Sequence, residues 1–582
     1  MSTRRLRAYI LRHRRPYLIG FALSLVSTTL YLINPWVLRL AIDGIRTGAP
    51  PRVFVALAAA YVAVRLTNGF IGYHWRMFTL GAGHAIEYEI RNDYFAHLQR
   101  LHQGFYQHTR TGDLMTRAIT DLNAVSRFVR AGILHAFNAV VMFLAASGVM
   151  FALDPRLALV VMLMLPLVSV VFVVLGRRIH QQFEHQQEQF SILSARAQEN
   201  FSGIRVVKAF AQEEAEIEAF ADINREFVRR ALRLARTSGA LWPSMTVILG
   251  AASALVLWQG GIAVVEGRIS LGTLVQFFGY LGMLSWPMIA LGWVANIIQQ
   301  GLASMRRIDE IMSTRPAITE PPAAVRGGHP RGEIEFRRVS FAYGGVPVLH
   351  DIDLKIPAGA TVAIVGPTGS GKTTFVSLIP RLVDPTAGAV LLDGTDIRQL
   401  NLAALRGSIG FVQQEPFLFS DTLEENLALG IDGGNGHRVR DAAETARLAR
   451  DLEDFPLGYQ TVVGERGVTL SGGQKQRATI ARALARDPMI LILDDALSSV
   501  DTHTEEEILR GLRRFMAQRT SLIISHRIST VRDADLIVVL GGGRIVERGT
   551  HDSLLAQGGP YAALYQKQLL HEALEADDLQ PS

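Results

Sequence analysis

Six apolar stretches fill the first 300 residues, at about 17–42, 53–77, 133–153, 157–176, 241–265 and 271–298. Each approaches or exceeds the roughly 20 residues a helix needs to cross ~30 Å of hydrocarbon. The run 160–175 carries no charge and has a β-branched-rich centre. That favours six membrane spans over six buried helices of a soluble protein. Three connections between spans are short: 44–52, 154–156 and 266–270. Two are long, about 78–132 and 177–240, rich in Arg, Glu and Gln and poor in Gly and Pro. They keep the helical spacing of apolar residues. They therefore predict helical hairpins extending the spans by ~30–40 residues, at about 1.5 Å each. The hairpin turns fall near 105–115 and 201–210.

After residue 312 the pattern changes. The segment 313–332 holds Pro316, Pro321, Pro322, Pro330, Gly327 and Gly328 and cannot be regular. Beyond it, short strand-like runs at 333–341, 361–365, 390–393, 408–413, 490–494, 521–525 and 536–540 alternate with helices. The pattern predicts an α-helical membrane domain (six transmembrane helices with long cytoplasmic extensions) over 1–312. A linker follows at 313–332, then an α/β nucleotide-binding domain over 333–582.

Composition supports this split. The 582 residues are 49% hydrophobic and only 19% charged, too apolar for an ordinary soluble enzyme. Net charge is a modest +6, and its placement says more than its size. Arg4, Arg5, Arg7, Arg12, Arg14 and Arg15 precede the first span. Arg177, Arg178, Arg229, Arg230, Arg233 and Arg236 flank the fourth and fifth. The positive-inside rule then puts the N-terminus, both long hairpins and the nucleotide-binding domain in the cytoplasm, and the chain in the cytoplasmic membrane as a multi-pass protein. The N-terminal arginines suit lipid head groups better than nucleic acid, and no nucleic-acid partner is expected. Cysteine is absent, which excludes disulfides and thiolate–metal sites. No cleavable signal peptide is visible at the N-terminus.

The chemistry lies in the second domain. Residues 366–373 read Gly-Pro-Thr-Gly-Ser-Gly-Lys-Thr, a complete G-x-x-x-x-G-K-[ST] phosphate loop between a strand and a helix. Gly366, Gly369 and Gly371 let backbone N–H groups converge on a phosphate, with Thr368, Ser370 and Thr374 beside them. Lys372 reaches the β/γ-oxygens, and Thr373 offers a hydroxyl to Mg²⁺. Lysine is rare here, five against 54 Arg, so Lys372 stands where a compact ammonium is wanted. About 120 residues on, the buried run Ile490-Leu-Ile-Leu-Asp494 ends in a carboxylate suited to the metal. ATP and Mg²⁺ are the expected cofactors.

Residues 470–474 read Leu-Ser-Gly-Gly-Gln, with Ser471 23 residues before Asp494. In that position the pentapeptide resembles the signature of ATP-binding-cassette (ABC) proteins. Tyr343 resembles the family's adenine-stacking residue, Gln414 its metal- and water-contacting glutamine, and 463–467 the exporter-specific loop. Ser498-Ser-Val-Asp501 resembles the D-loop, and His526 the switch histidine. The whole chain resembles a multidrug-type ABC exporter half-transporter. The resemblance implies a dimer in which Ser471, Gly472, Gly473, Gln474 and Asp501 face the ATP held by the other chain. One departure stands out. Asp495 occupies the place of the usual catalytic Glu, which retracts the carboxylate by one methylene. The resemblance then implies a degenerate site and a different partner chain with Glu at that position, or else a homodimer with Asp as a slower base. A third reading is an ATP-binding regulator.

Clues to the cargo are few. Arg65 lies some 12 residues into the second span, where a charge is costly and faces protein or water. It predicts either an interhelical pair or a hydrogen bond to Asn68 or Asn138, or a cavity-lining contact to an anionic or peptidic cargo. Asn138 and Trp286 are further candidate contacts to a small amphipathic substrate. Trp258 and Trp293 read as interfacial anchors. His74, His84, His97, His102 and His108 have no metal-ligand spacing.

Overall fold

The computed structural model describes residues 2–321, 330–431, 436–464, 467, 470–500 and 502–578. The chain forms two compact units. One comprises Met1–Arg100 with Thr109–Thr314, the other Leu101–His108 with Arg315–Ser582. The turn of the first hairpin thus groups with the second unit, where the Ala317 N–H donates to His102 Nδ1 at 3.4 Å.

The first unit is helical. A short helix α1 (Ser2–Arg12) precedes α2 (Arg14–Arg46). Then follow α3 (Pro51–Arg100), α4 (Thr111–Leu153), α5 (Pro155–Ser202), α6 (Glu213–Val265) and α7 (Leu271–Met312). Among the described residues, α2 to α7 are the six helices long and apolar enough to cross a membrane. Two helix starts show why the short connections work. Asp154 accepts from the Arg156 and Leu157 N–H groups at 2.9 and 3.0 Å, with Pro155 at the first helical position of α5. At the start of α7, Asp43 of α2 accepts from the Gly272 N–H at 3.0 Å and from Ser270 Oγ at 2.7 Å. The core of this unit gathers Leu157, Val161, Leu165, Val256, Phe277 and Leu284, all at most 2% exposed. Towards the C-terminal end of α7, Arg307 grips Asp121 of α4, with Nε 2.9 Å from Oδ2.

The second unit is α/β. A six-stranded sheet runs β10-β9-β3-β8-β7-β6, where β3 is Thr361–Val365, β6 Ile409–Val412, β7 Ile490–Asp494, β8 Thr520–Ile524, β9 Leu536–Gly541 and β10 Arg544–Gly549. Its ladders are parallel except for β9–β10. The inner strands are predominantly apolar and buried, as strands covered on both faces require. An antiparallel sheet of order β2-β1-β4-β5 lies alongside, with β1 Ile334–Tyr343, β2 Val346–Ile356, β4 Ala387–Leu392 and β5 Thr395–Asp396. The sheets share a core in which Phe336 and Phe375 stack at 4.2 Å. Three further helices matter for the site: α8 (Lys372–Ser377), α9 (Gly472–Ala485) and α10 (Thr502–Met516). The expected strands of this unit are present, while β2, β5 and β10 were not foreseen. The segment 322–329 of the expected linker lies outside the described residues.

Candidate active site

The phosphate loop is dictated by sterics. It leaves the C-terminal end of β3 and enters α8. Gly366 has φ +149°, and a Cβ there would lie 2.2 Å from Leu540 O, which only glycine avoids. Gly369 and Gly371 follow at φ +81° and +95°. This alternation turns successive N–H groups inward, the geometry of an anion-binding nest. The Ser370 hydroxyl is buried and makes no hydrogen bond. A stranded buried hydroxyl at a helix start fits a site shaped for phosphate oxygens.

Charge is concentrated at one point. Lys372 is only 7% exposed, and its Nζ donates to Gly366 O at 2.9 Å and Pro367 O at 3.0 Å. Burial pushes its pKa down, opposed by the nearby Asp495 and Asp494 carboxylates. Asp494 ends β7 at 2% exposure. Burial pushes its pKa up. Thr373, whose Oγ1 donates to Asp494 Oδ1 at 3.2 Å, holds it down, while the neighbouring Asp495 charge raises it further. A hydroxyl and a carboxylate this close form an oxygen donor pair suited to Mg²⁺, a hard cation. The residues present therefore fit both ATP and Mg²⁺.

Gln414, Asp495 and His526 join Thr368, Lys372 and Asp494 around one cavity of about 240 Å³. Asp495 takes a left-handed backbone at φ +50°, with its N–H donating to Ile524 O at 2.9 Å. Gly369, Gly371, Thr373 and Thr374 also line this cavity. Two lining residues were not anticipated, Val348 and Ile524, which give it an apolar edge.

Other expected site residues lie apart from it. Tyr343 ends β1 with its ring edge-on to Phe341 at 4.6 Å, outside the cavity lining. Ser471, Gly472, Gly473 and Gln474 form the start of α9, also outside that lining. There the Ser471 N–H donates to Gln474 Oε1 at 2.9 Å, and Ser471 Oγ accepts from the Gln474 N–H at 3.3 Å. This capping box fixes an exposed helix N-terminus. Asp501 lies outside the described residues, as do residues 465 and 466 of the 463–467 loop.

Supporting residues escaped the sequence reading. Gln476 donates to Ser498 Oγ and accepts from the Ser499 N–H, both at 2.9 Å, tying α9 to the segment after Asp495. Arg482 donates to Phe417 O and Asn426 O, each at 2.8 Å, bracing the chain after Gln414. Glu505 on α10 is 3% exposed and accepts from Arg527, next to His526, and from Thr530 at 2.6 Å. An acid in the first turn of an amphipathic helix reads as a solvent-facing group, so nothing in the sequence marked it.

The helical unit holds a larger cavity, about 540 Å³, whose lining includes Asn138 and Trp286. Arg65 is not part of that lining. The expected bond from Arg65 to Asn68 or Asn138 is not formed. Arg65 instead donates to Tyr61 Oη at 3.3 Å and lies 5.5 Å over the Tyr31 ring. Asn68 accepts from Ser27 Oγ at 2.6 Å. Its partners are thus a tyrosine one helical turn away on α3 and a tyrosine across on α2.

Comparison with known proteins places both units. Residues 17–288 match the ABC transporter transmembrane region, and residues 349–498 match the ABC transporter family model. The chain is 36% identical to the probable multidrug resistance ABC transporter ATP-binding/permease protein YheI of Bacillus subtilis, over 98% of this chain and 97% of that protein. It is 36% identical to the multidrug resistance-like ATP-binding protein MdlA of Escherichia coli, over 97% and 96%. To an ATP-dependent lipid A-core flippase of Syntrophus aciditrophicus it is also 36% identical, over 96% and 94%. A solved bacterial Atm1-family ABC exporter with ATP bound superposes with a TM-score of 0.78 at 29% identity, covering 95% of this chain and 98% of that one.

Proposed function

The chain belongs to the ABC exporters, and from that premise we propose that it works as one half of a heterodimeric exporter whose partner carries Glu where this chain has Asp495. The plain part is a multi-pass membrane protein that couples ATP hydrolysis to transport. The proposed part is the division of labour. It rests on one observation: the Ser471–Gln474 helix start is built and exposed, yet it does not line this chain's own phosphate cavity. A helix N-terminus with a free face suits a γ-phosphate, and here that phosphate belongs to the partner's ATP. In return, the partner's signature completes the site at Lys372.

The residues then take distinct roles. Lys372, Ser370 and the loop N–H groups hold the phosphates, and Tyr343 stacks the adenine. Thr373, Asp494 and Gln414 would hold Mg²⁺, which would supply charge neutralisation for the phosphates. Asp495 orients the attacking water, with His526 at the γ-phosphate. The missing methylene withdraws the base by more than 1 Å, and ~1 Å of misplacement costs about 10²-fold in rate. Hydrolysis at this site is slow, while binding is intact. Closure of the two cassettes pulls on the helical hairpins and turns the cavity outward.

The cargo is an amphipathic or hydrophobic compound (drug, lipid or peptide) moved across the cytoplasmic membrane from the cytoplasmic side. The test is ATPase activity of this chain alone and with a candidate partner half-transporter. A complex far faster than either chain supports the heterodimer. A homodimer is the second reading, favoured by the presence of Gln414, His526 and the signature in one chain. Turnover by the purified chain alone that equals the complex would establish it.

A further inference from the structure

The spans are nearly free of negative charge. Residues 1–42, 44–86, 132–153, 155–183, 237–265 and 267–308 contain no Asp or Glu. The intervening Asp43 is committed to Ser270, the Gly272 N–H and Arg39. Yet the second span carries two arginines. Arg65 finds only tyrosines. Arg76 lies 5.6 Å from the Trp75 ring and, among the described residues, forms no ion pair. A cation at membrane depth normally pairs with an anion of its own protein. Here none is within the spans to serve.

Arg76 lines the 540 Å³ cavity, among the described residues the one charged residue in a lining that includes Tyr31, Tyr73, Trp286, Met142 and Met283. We propose that this cavity binds an amphipathic anion: a phosphate, carboxylate or sulfate head on Arg76, and an apolar body against Tyr31, Trp286 and the two methionines. The assignment deepens the export reading and rests on it for the claim that the occupant is cargo. A guanidinium takes such oxyanions through two parallel N–H bonds, and aromatic and thioether walls accept varied apolar shapes. The volume is that of an ordinary small-molecule site. Arg65, about 16 Å back along α3 at 1.5 Å per residue, lies 5.5 Å from the same Tyr31 ring and adds to the positive potential. A cationic amphipath would meet an uncompensated guanidinium with no carboxylate in reach. The cavity therefore selects by charge sign before shape.

The test uses the full chain in nanodiscs of zwitterionic lipid. Dodecyl phosphate and dodecyltrimethylammonium share a tail and differ in charge, and quenching of tryptophan fluorescence reports their binding. The phosphate is expected to bind at least 10-fold more tightly. Arg76→Gln should erase that preference and Arg76→Lys should retain part of it. Inorganic phosphate at the same concentration should not displace the alkyl phosphate. Equal binding of the two amphipaths overturns the proposal. So does an anion preference that survives Arg76→Gln, or displacement by inorganic phosphate, which would mark a free-anion site. Should Arg76→Gln fail to fold, the preference of the parent chain alone decides. ATP-driven movement of dodecyl phosphate into vesicles is scored separately, with this chain assembled with its partner half-transporter. Anion binding without such movement leaves the site standing and sinks the export reading. ATP-driven movement of the cation alone sinks the site.

Discussion

The two cavities treat their cations in opposite ways. In the cassette, Lys372 is buried between two backbone carbonyls with Asp494 and Asp495 nearby. Its charge is partly offset by the chain before any nucleotide arrives. In the helical unit, Arg76 has an aromatic neighbour and, among the described residues, no carboxylate in an ion pair with it. The first site is preorganised: glycines with positive φ and a fixed ammonium recognise one ligand chemistry closely. The second leaves a charge to be satisfied by whatever enters. A motor needs one fuel, and a transporter of varied cargo needs a surface that many shapes can fit.

The strongest way to test the contrast is to delete the preorganised cation. Lys372→Ala should lower ATP affinity at this chain's own site by ~10²-fold or more, since a desolvated charge-assisted bond to phosphate is worth roughly 3 kcal/mol. Photo-crosslinking of labelled ATP to this chain measures it. Retention of parent-like labelling would mean the loop binds without its ammonium.

Next in size is Asp495→Glu. Restoring the methylene should raise turnover of the assembled transporter, by up to about 10²-fold if the base is the limiting defect. Unchanged steady-state ATPase would remove the degenerate-site reading. Ser471→Ala should cut hydrolysis of the partner's ATP by about 10-fold, the worth of one lost bond of ~1.4 kcal/mol, while leaving ATP labelling at the Lys372 site intact. Equal loss of labelling in Ser471→Ala and Lys372→Ala would sink the cross-chain assignment.

How far the residues announced these sites follows from how local the physics is. The phosphate loop was legible because its glycines are demanded by the backbone itself, as Gly366 against Leu540 O shows. The strands β3 and β7 were legible as near-continuous apolar runs, and β8 as a short apolar run after Thr520 and Ser521. Strand β2 was not: its alternation is broken by Asp351, at φ +49°, and its pairing with β1 shifts register three times. Strand β10 alternates intermediate and exposed positions and reads as loop. In the helical unit the spans were legible from length, but the cavity was not. Arg76 at the end of an apolar stretch reads as an interfacial flank, and only the packing of α2, α4 and α7 turns it into a wall. Arg65 drew attention by its depth, and its partners proved to be tyrosines on α2 and its own helix.

The smallest effect is on stability, and it runs against activity. Asp494 is buried, accepts one side-chain hydrogen bond and sits beside another carboxylate, so its pKa is raised in the folded protein. A raised carboxylate pKa means the native state holds the proton more tightly than the unfolded one. Stability therefore falls as pH climbs from the ordinary aspartate value through the raised one, and the penalty is fully present at neutral pH. Asp494→Asn removes that penalty while keeping a group that can accept from Thr373. Without nucleotide at pH 7 the variant should melt a few degrees higher, within the range that modest free-energy changes produce in domains of this size. The gap should narrow as the buffer is acidified and the parent aspartate takes up its proton. With Mg²⁺ and ATP the order should reverse, because only the carboxylate binds the metal and only the parent gains stability from its ligand. A lower melting temperature for the nucleotide-free variant at pH 7 would show that Lys372 compensates the Asp494 charge fully. The cassette would then be balanced even at its most buried acid, and its contrast with the unpaired Arg76 would be sharper.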